Sequence, residues 1–257
     1  MRILLMNQAP RRKDRHPAYD VAAVEALVNS YASPGTKIEI GFPDDFEGSE
    51  VFHRLGAASN LNGLHHMMEA PAIVRKIAWA AENGYDAVVS SNTFDPGVDG
   101  GRLAVDIPVI GPLRTSVHAA LVLADRVGIT VPLASHVPYT RRILRTYGLE
   151  SFVTDIKPIG VYGADVKSRK NEIFDITTGL IRSLVDEGAE IIVPLGGALI
   201  PYVVDPADLA KATGVQVMNT KIVTIRFAEM CVTYGMTQSA ITYPRGKLKH
   251  SDFSNRD

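Results

Sequence analysis

Gly84-Tyr85-Asp86-Ala87-Val88-Val89 and Gly188-Ala189-Glu190-Ile191-Ile192-Val193 state one pattern twice: a glycine, a short polar stretch, then an apolar run of strand length. Each copy follows a helix-like segment and runs into a loop of small residues, Ser91-Asn92-Thr93 in the first and Gly196-Gly197 in the second. Two further pairs share a similar offset: Ile107-Pro108-Val109-Ile110-Gly111 with Val215-Gln216-Val217-Met218, and Ile3-Leu4-Leu5-Met6 with Val127-Gly128-Ile129-Thr130-Val131. A duplicated α/β unit accounts for all three pairs.

The surrounding pattern agrees. Strand-like runs near 2–7, 37–42, 86–90 and 107–110 alternate with helical patterns near 17–31, 68–83 and 114–126. The second half repeats this, with strands near 127–132, 155–161, 189–195 and 215–218 and helices near 137–147, 167–187, 205–213 and 220–235. Alternating β and α segments predict an α/β fold with parallel sheets flanked by helices, here in two pseudo-symmetric lobes. Residues 1–111 plus 219–257 are expected to form the first lobe and 112–218 the second. Ligands in such sheets bind beyond the carboxyl ends of the strands, so the two small-residue loops face an active site in the cleft between lobes.

Composition bounds the function. A chain of 257 residues has room for one large or two small domains with a substantial core. The 27 Lys and Arg balance the 28 Asp and Glu without a basic stripe, which argues against nucleic acid as partner and for a small molecule. No apolar run approaches the roughly 20 residues of a membrane-spanning helix, and the N-terminus lacks a signal-peptide pattern, so no membrane association and a cytoplasmic location are expected. Cys231, the single cysteine, can form no internal disulfide and no thiol cluster for zinc. Its apolar setting, Phe227-Ala228-Glu229-Met230-Cys231-Val232, reads as core packing. Residues 46–63 have little periodicity and read as a lid or cleft wall, and the polar tail 247–257 reads as a frayed terminus.

Several motifs resemble the aspartate/glutamate/hydantoin racemase superfamily. Ser91-Asn92-Thr93 is similar to that group's Cys-Asn-Thr box, and Phe94-Asp95-Pro96-Gly97-Val98-Asp99 with Arg102 is similar to the Asp-Pro-Gly-Leu-Asp run of hydantoin racemases. Leu195-Gly196-Gly197-Ala198 resembles Leu-Gly-Cys-Ala, and Val137-Pro138-Tyr139-Thr140 resembles the Thr-Pro-Tyr turn of maleate isomerases and arylmalonate decarboxylases. The resemblance spans Gly63 to Arg102, Gly111 to Gly148 and Gly188 to Pro201. It implies a cofactor-independent enzyme without a metal, commonly a homo-oligomer, in which two cysteines on opposite faces of the substrate move a proton beside a carbonyl. This chain departs from that pattern. The first cysteine position holds Ser91 or, in the hydantoin-racemase register, Asn92, and the second holds Gly197. A serine hydroxyl without an adjacent base is too weakly acidic to replace a thiol near neutral pH, and glycine has no side chain.

What remains is an anion cradle for the enolate-like charge of a small carboxylate or cyclic amide. Asn7, Asn92, Thr93, Arg114, Gly196 and Gly197 are the candidate substrate-binding residues, and Ser91, Tyr139, His118, Asp95 and His66 the candidate catalytic ones. Each has a plainer reading: strand termination and capping for Ser91 to Thr93, tight turns for the glycines and Asp95-Pro96-Gly97, a packed imidazole for His118, a solvated cation for Arg114. His53, His65 and His66 lie around the expected lid; adjacent histidines on a helix point apart, so one of His65 and His66 is expected to face inward. Lyase or non-racemising isomerase chemistry fits the missing thiols, with hydrolysis of a hydantoin-like or ring-opened amide by a His- or Asp-activated water, or a catalytically silent binding protein, as alternatives.

Overall fold

Parallel pairing organises the chain twice over. The computed structural model describes residues 1–7, 20–44, 63–162, 166–246 and 249–253. Strands β1 (Arg2–Met6), β2 (Lys37–Gly41), β3 (Ala87–Ser90) and β4 (Val109–Ile110) form one sheet in the order β2-β1-β3-β4. Strands β5 (Val127–Val131), β6 (Val153–Pro158), β7 (Ile191–Pro194) and β8 (Gln216–Val217) form a second in the order β6-β5-β7-β8. Every neighbouring pair is parallel. The three sequence pairs thus become β3 with β7, β4 with β8 and β1 with β5, each at the same place in its sheet.

Helices link and cover these strands: α1 (Val21–Ser30), α2 (Leu64–Glu82), α3 (Val98–Ala104), α4 (Pro112–Leu121), α5 (His136–Thr146), α6 (Lys170–Asp186), α7 (Pro206–Thr213) and α8 (Thr220–Thr233). Their seating follows periodicity. On α6, Ile173, Thr177, Ile181 and Leu184 fall on one buried stripe. The central strands carry apolar residues on both faces because helices cover both; all five residues of β5 are buried. Among the described residues no helix is long and apolar enough to cross a membrane.

Two helices tie the halves together. α4 leaves β4 of the first sheet and sends Leu113, Val117 and Ala120 into the core around β5 and β7. α8 follows β8 of the second sheet yet packs Ile225, Ala228 and Cys231 against Ile3, Leu5 and Val89 of the first. The chain then stays on the first sheet's side: Gln238 Nε2 donates to the carbonyls of Val105 (2.7 Å) and Ile107 (3.1 Å).

Some boundaries differ from the sequence reading. The run expected as a strand at 155–161 pairs over 153–158, and α3 was not anticipated. Part of the tail is ordered, since 250–253 form a 3₁₀ turn in which the His250 N–H donates to Glu82 Oε1 (2.6 Å) at the end of α2. The expected lid lies outside the described residues, apart from Gly63.

Truncating Ile225, fully buried where α8 meets the first sheet, removes apolar contact and leaves a cavity. Ile225→Ala is expected to lower stability by about 2–4 kcal/mol in urea unfolding, with the m-value unchanged.

Candidate functional site

The site is built by two strand ends. The Ser91 N–H donates to the Met6 carbonyl (2.7 Å), extending the β1–β3 pairing one residue into the first loop, and the Leu195 N–H donates to Thr130 (2.8 Å), extending β5–β7 into the second. The loops then meet: the Gly196 N–H donates to Thr93 Oγ1 at 2.5 Å. Gly196 has φ +101° and lies so close to Pro132 that a β-carbon would come within 2.3 Å of its ring, so only glycine fits this turn.

Ser91, Asn92 and Thr93 are buried at 7%, 8% and 1% exposure, and Gly196 and Gly197 are also buried, while Ala198 is exposed and marks where the second loop reaches the surface. The N–H groups of Asn92, Thr93 and Gly197 meet no acceptor among the described residues. Unpaired donors on buried residues are uncommon, and each one withdrawn from water costs about 1–3 kcal/mol. Three of them on two touching loops make a concentrated anion-binding potential.

Asn92 orients a histidine. Its Oδ1 accepts the Phe94 N–H (2.9 Å), which fixes the amide so that Nδ2 faces His66 Nδ1 at 3.1 Å. Nδ2 can only donate, so Nδ1 accepts and the proton of a neutral imidazole sits on Nε2. Burial holds His66 well below its ordinary value, so the neutral form prevails. His66 stacks on Tyr139 (centroids 5.3 Å apart), which burial keeps protonated and able to donate. The approach of α2 to Tyr139 depends on Gly63, where a β-carbon would lie 2.3 Å from the tyrosine ring. His65 and His66 are both buried, at 3% and 2% exposure, with rings 3.8 Å apart, rather than one facing out. They occupy the first turn of α2, where side chains lean back over the helix end and can be enclosed together. His136, at the start of α5, completes the imidazole cluster, held by burial at about 4. Among the described residues no group of three or more His, Cys, Asp and Glu side chains is arranged to hold a metal ion. His53 lies outside the described residues.

Other expected site residues have different duties. Asp95 is buried with φ +54°, and its carboxylate oxygens accept the N–H groups of Leu113 (3.0 Å) and Arg114 (3.1 Å), closing the start of α4. Gly111 makes room for it, since a β-carbon there would lie 2.5 Å from Asp95 Cγ. Desolvation pushes Asp95 up to about 6 in spite of those bonds. The Arg114 guanidinium lies over Tyr147 (4.9 Å) and donates to Tyr243 (3.2 Å), so it is engaged away from the loops. His118 is exposed on α4 and lines a surface hollow with Tyr147 and Phe152, nearly two turns along the helix from its start beside Asp95. Asn7 ends β1, with its N–H donating to Gly41 (2.8 Å). Cys231 packs in the first-sheet core.

The residue that the sequence reading missed is Lys221. It lies in the first turn of α8, where Asn219 Oδ1 caps the helix by accepting the N–H groups of Lys221 and Ile222 (3.1 Å each). Its side chain is fully buried, and its ammonium donates to the Ser91 carbonyl. A β-carbon at Gly197 would lie 3.0 Å from Lys221 Cε and 3.1 Å from Nζ. Burial drives the amine down to about 7, partly opposed by the Asp95 carboxylate. A signal existed: Lys221 shares the helix stripe of Thr224, Ile225 and Ala228, where a solvated lysine has no place.

The Asp/Glu/Hydantoin racemase family model matches residues 21–228. A hydantoin racemase of Pseudomonas sp. (strain NS671) is 28% identical over 202 residues, covering 77% of this chain and 80% of its own. The structure superposes on allantoin racemase from Pseudomonas fluorescens with a TM-score of 0.79 at 20% identity, covering 97% of this chain and 98% of the other. A variant arylmalonate decarboxylase in liganded form gives 0.63 at 14% identity, covering 91% and 93%. At these identities the structural likenesses establish the fold alone.

Asp95 ionises less readily folded than unfolded, so its share of stability is full below about pH 4 and is lost as pH rises through about 6. Wild-type protein should therefore lose roughly 3 kcal/mol relative to Asp95→Asn between pH 3.5 and 7, read as the difference of their urea-unfolding free energies. A difference that stays flat with pH would remove this account of Asp95.

Proposed function

The chain belongs to the Asp/Glu/hydantoin racemase family, and we propose that within it this protein forms and quenches an enolate beside the carboxylate or carbonyl of a small organic acid or cyclic amide, as a lyase or a non-racemising isomerase. The observation that supports this reading is that the N–H groups of three buried residues, Asn92, Thr93 and Gly197, meet no acceptor among the described residues. Donors already in place act where charge develops, because they need no reorganisation as the enolate oxygen becomes negative.

The same loops argue against a two-thiol exchange. Neither Ser91, Asn92 nor Gly197 offers a thiol, and Cys231 lies in the core of the first sheet. With no sulfur on either face, protonation from one face is the economical outcome, and it preserves or creates a single configuration. Neutral His66, fixed by Asn92, supplies a hydrogen-bonding wall to the pocket without adding charge. The hydantoin, allantoin and arylmalonate named for the relatives supply the substrate chemistry: each carries an acidic carbon or scissile carboxylate beside a carbonyl that can become an enolate.

The test is incubation in heavy water with a 5-substituted hydantoin, allantoin and a 2-arylmalonate, followed by NMR and chiral chromatography. Expected is carbon dioxide loss to one enantiomer of the arylacetate, or deuterium uptake without loss of optical rotation. Deuterium uptake with full racemisation, or no reaction with any of the three, would overturn the proposal. Thr93→Val, which removes the acceptor of the inter-loop hydrogen bond, should lower kcat at least about tenfold and cost about 1–2 kcal/mol of stability.

A further inference from the structure

We propose that Lys221 is the proton carrier of this site: its amine occupies the space opened by glycine at 197, against the carbonyl of Ser91, and serves as a single nitrogen base in place of a facing pair of thiols. The inference rests on the enolate reading above and assigns its acid–base group.

Position comes first. Lys221 reaches from α8 into the junction of both loops, touching the first through the Ser91 carbonyl and the second at Gly197. Any larger residue at 197 would press on Lys221 Cε and Nζ, at 3.0 and 3.1 Å from the β-carbon alone. Glycine at 197 thus leaves the end of Lys221 undisplaced, and the Gly197 N–H beside it meets no acceptor among the described residues.

Cost comes second. A fully buried lysine is among the more expensive side chains to place in a protein interior, and a methionine would fill the same volume without the desolvation penalty. Asn219 caps α8, and Thr224, Ile225 and Ala228 seat it, so the helix's own packing does not depend on the amine, which reaches past it to the Ser91 carbonyl at the loop junction. Among the described residues three groups are recorded near the amine. Asp95 acts on it as a carboxylate through space, the Tyr202 ring lies 5.7 Å away, and the Ser91 carbonyl accepts from it. Desolvation outweighs the carboxylate and brings the amine to about 7, where it gives and takes protons with nearly equal ease.

The step balances with one base. The neutral amine takes the proton from the carbon beside the carbonyl, the C–H electron pair becomes the enolate, and its oxygen is met by the loop N–H groups. The ammonium so formed exchanges with solvent and returns a proton to that carbon from the same side, which is hydrogen exchange with retention, or gives its proton to a carbon conjugated with the enolate, which is isomerisation. In a decarboxylating substrate the C–C pair becomes the enolate as carbon dioxide leaves, the ammonium protonates the carbon, and water restores the ammonium.

The test combines one measurement that needs no turnover with one that does. Full-length protein labelled with [ε-¹³C]lysine is titrated by NMR with and without phenylmalonate. The expected result is one ε-carbon signal with a midpoint near 7 that moves when phenylmalonate binds and disappears in Lys221→Met. In parallel, Lys221→Met should lose about 10²–10⁴-fold in kcat on any substrate turned over by the wild type, with KM changed less than about threefold, and Lys221→Arg should not rescue it. Turnover within threefold of wild type in Lys221→Met overturns the lysine assignment and leaves the enolate reading standing. Inactivity of the wild type sinks the enolate reading instead, and the titration then decides for the lysine: every lysine signal above pH 9, or none moved by phenylmalonate, overturns it. The wild-type titration decides in the same way if Lys221→Met fails to fold.

Discussion

One hydrogen bond, from the Gly196 N–H to the Thr93 hydroxyl, joins loops 103 residues apart and turns two strand ends into one site. Parallel sheets bring every strand end to the same edge, but they do not bring two sheets edge to edge. That is done by α4 and α8, which cross between the sheets, and by the hydroxyl that accepts across the gap. Thr93 takes the Gly196 N–H, and on the same two loops the N–H groups of Asn92, Thr93 and Gly197 meet no acceptor among the described residues. Inter-loop closure and anion-binding capacity therefore come from the same few residues.

The fold was legible because duplication doubles the signal. A strand such as Val127–Val131 is short and ambiguous alone, yet it has a counterpart in Ile3–Met6 with the same neighbours in its sheet. What escaped notice has local physical causes. Helix α3 contains Gly100 and Gly101, which depress helix propensity; they are required because β-carbons there would come within 2.6 Å of Val74 and Ile77 on α2. Tertiary packing overrides propensity at that point. The composition and place of the two loops anticipated that they meet, whereas sequence proximity grouped His118 and Arg114 with them although helix α4 carries those side chains around and away.

Asp95 and Lys221 show the limit of motif reading from opposite sides. Asp95 sits in a motif associated with catalysis and is spent on two backbone N–H groups at the start of α4. Lys221 sits in no motif, and only its place on a buried stripe distinguishes it from the other lysines. A residue-type census sees a missing thiol pair and concludes only that two-thiol exchange is lost. The packing of Lys221 against Gly197 supplies what that census omits, a titratable group in the volume that the absent side chain releases.

Burial gives the site its electrostatic character. His65, His66 and His136 are all held toward neutrality by desolvation, and so is Lys221. A site whose histidines are neutral and whose lysine lies near its midpoint at pH 7 differs from a cationic anion trap. A cationic pocket stabilises a ground-state carboxylate as strongly as the enolate derived from it, which tightens binding without lowering the barrier. In the proposed mechanism the fixed N–H dipoles and the proton moving onto or off Lys221 respond to charge as it shifts from carbon to oxygen. Favouring that shift over the starting carboxylate is what separates turnover from binding, and the burial that makes the lysine costly to fold is what places its proton affinity where the shift can use it.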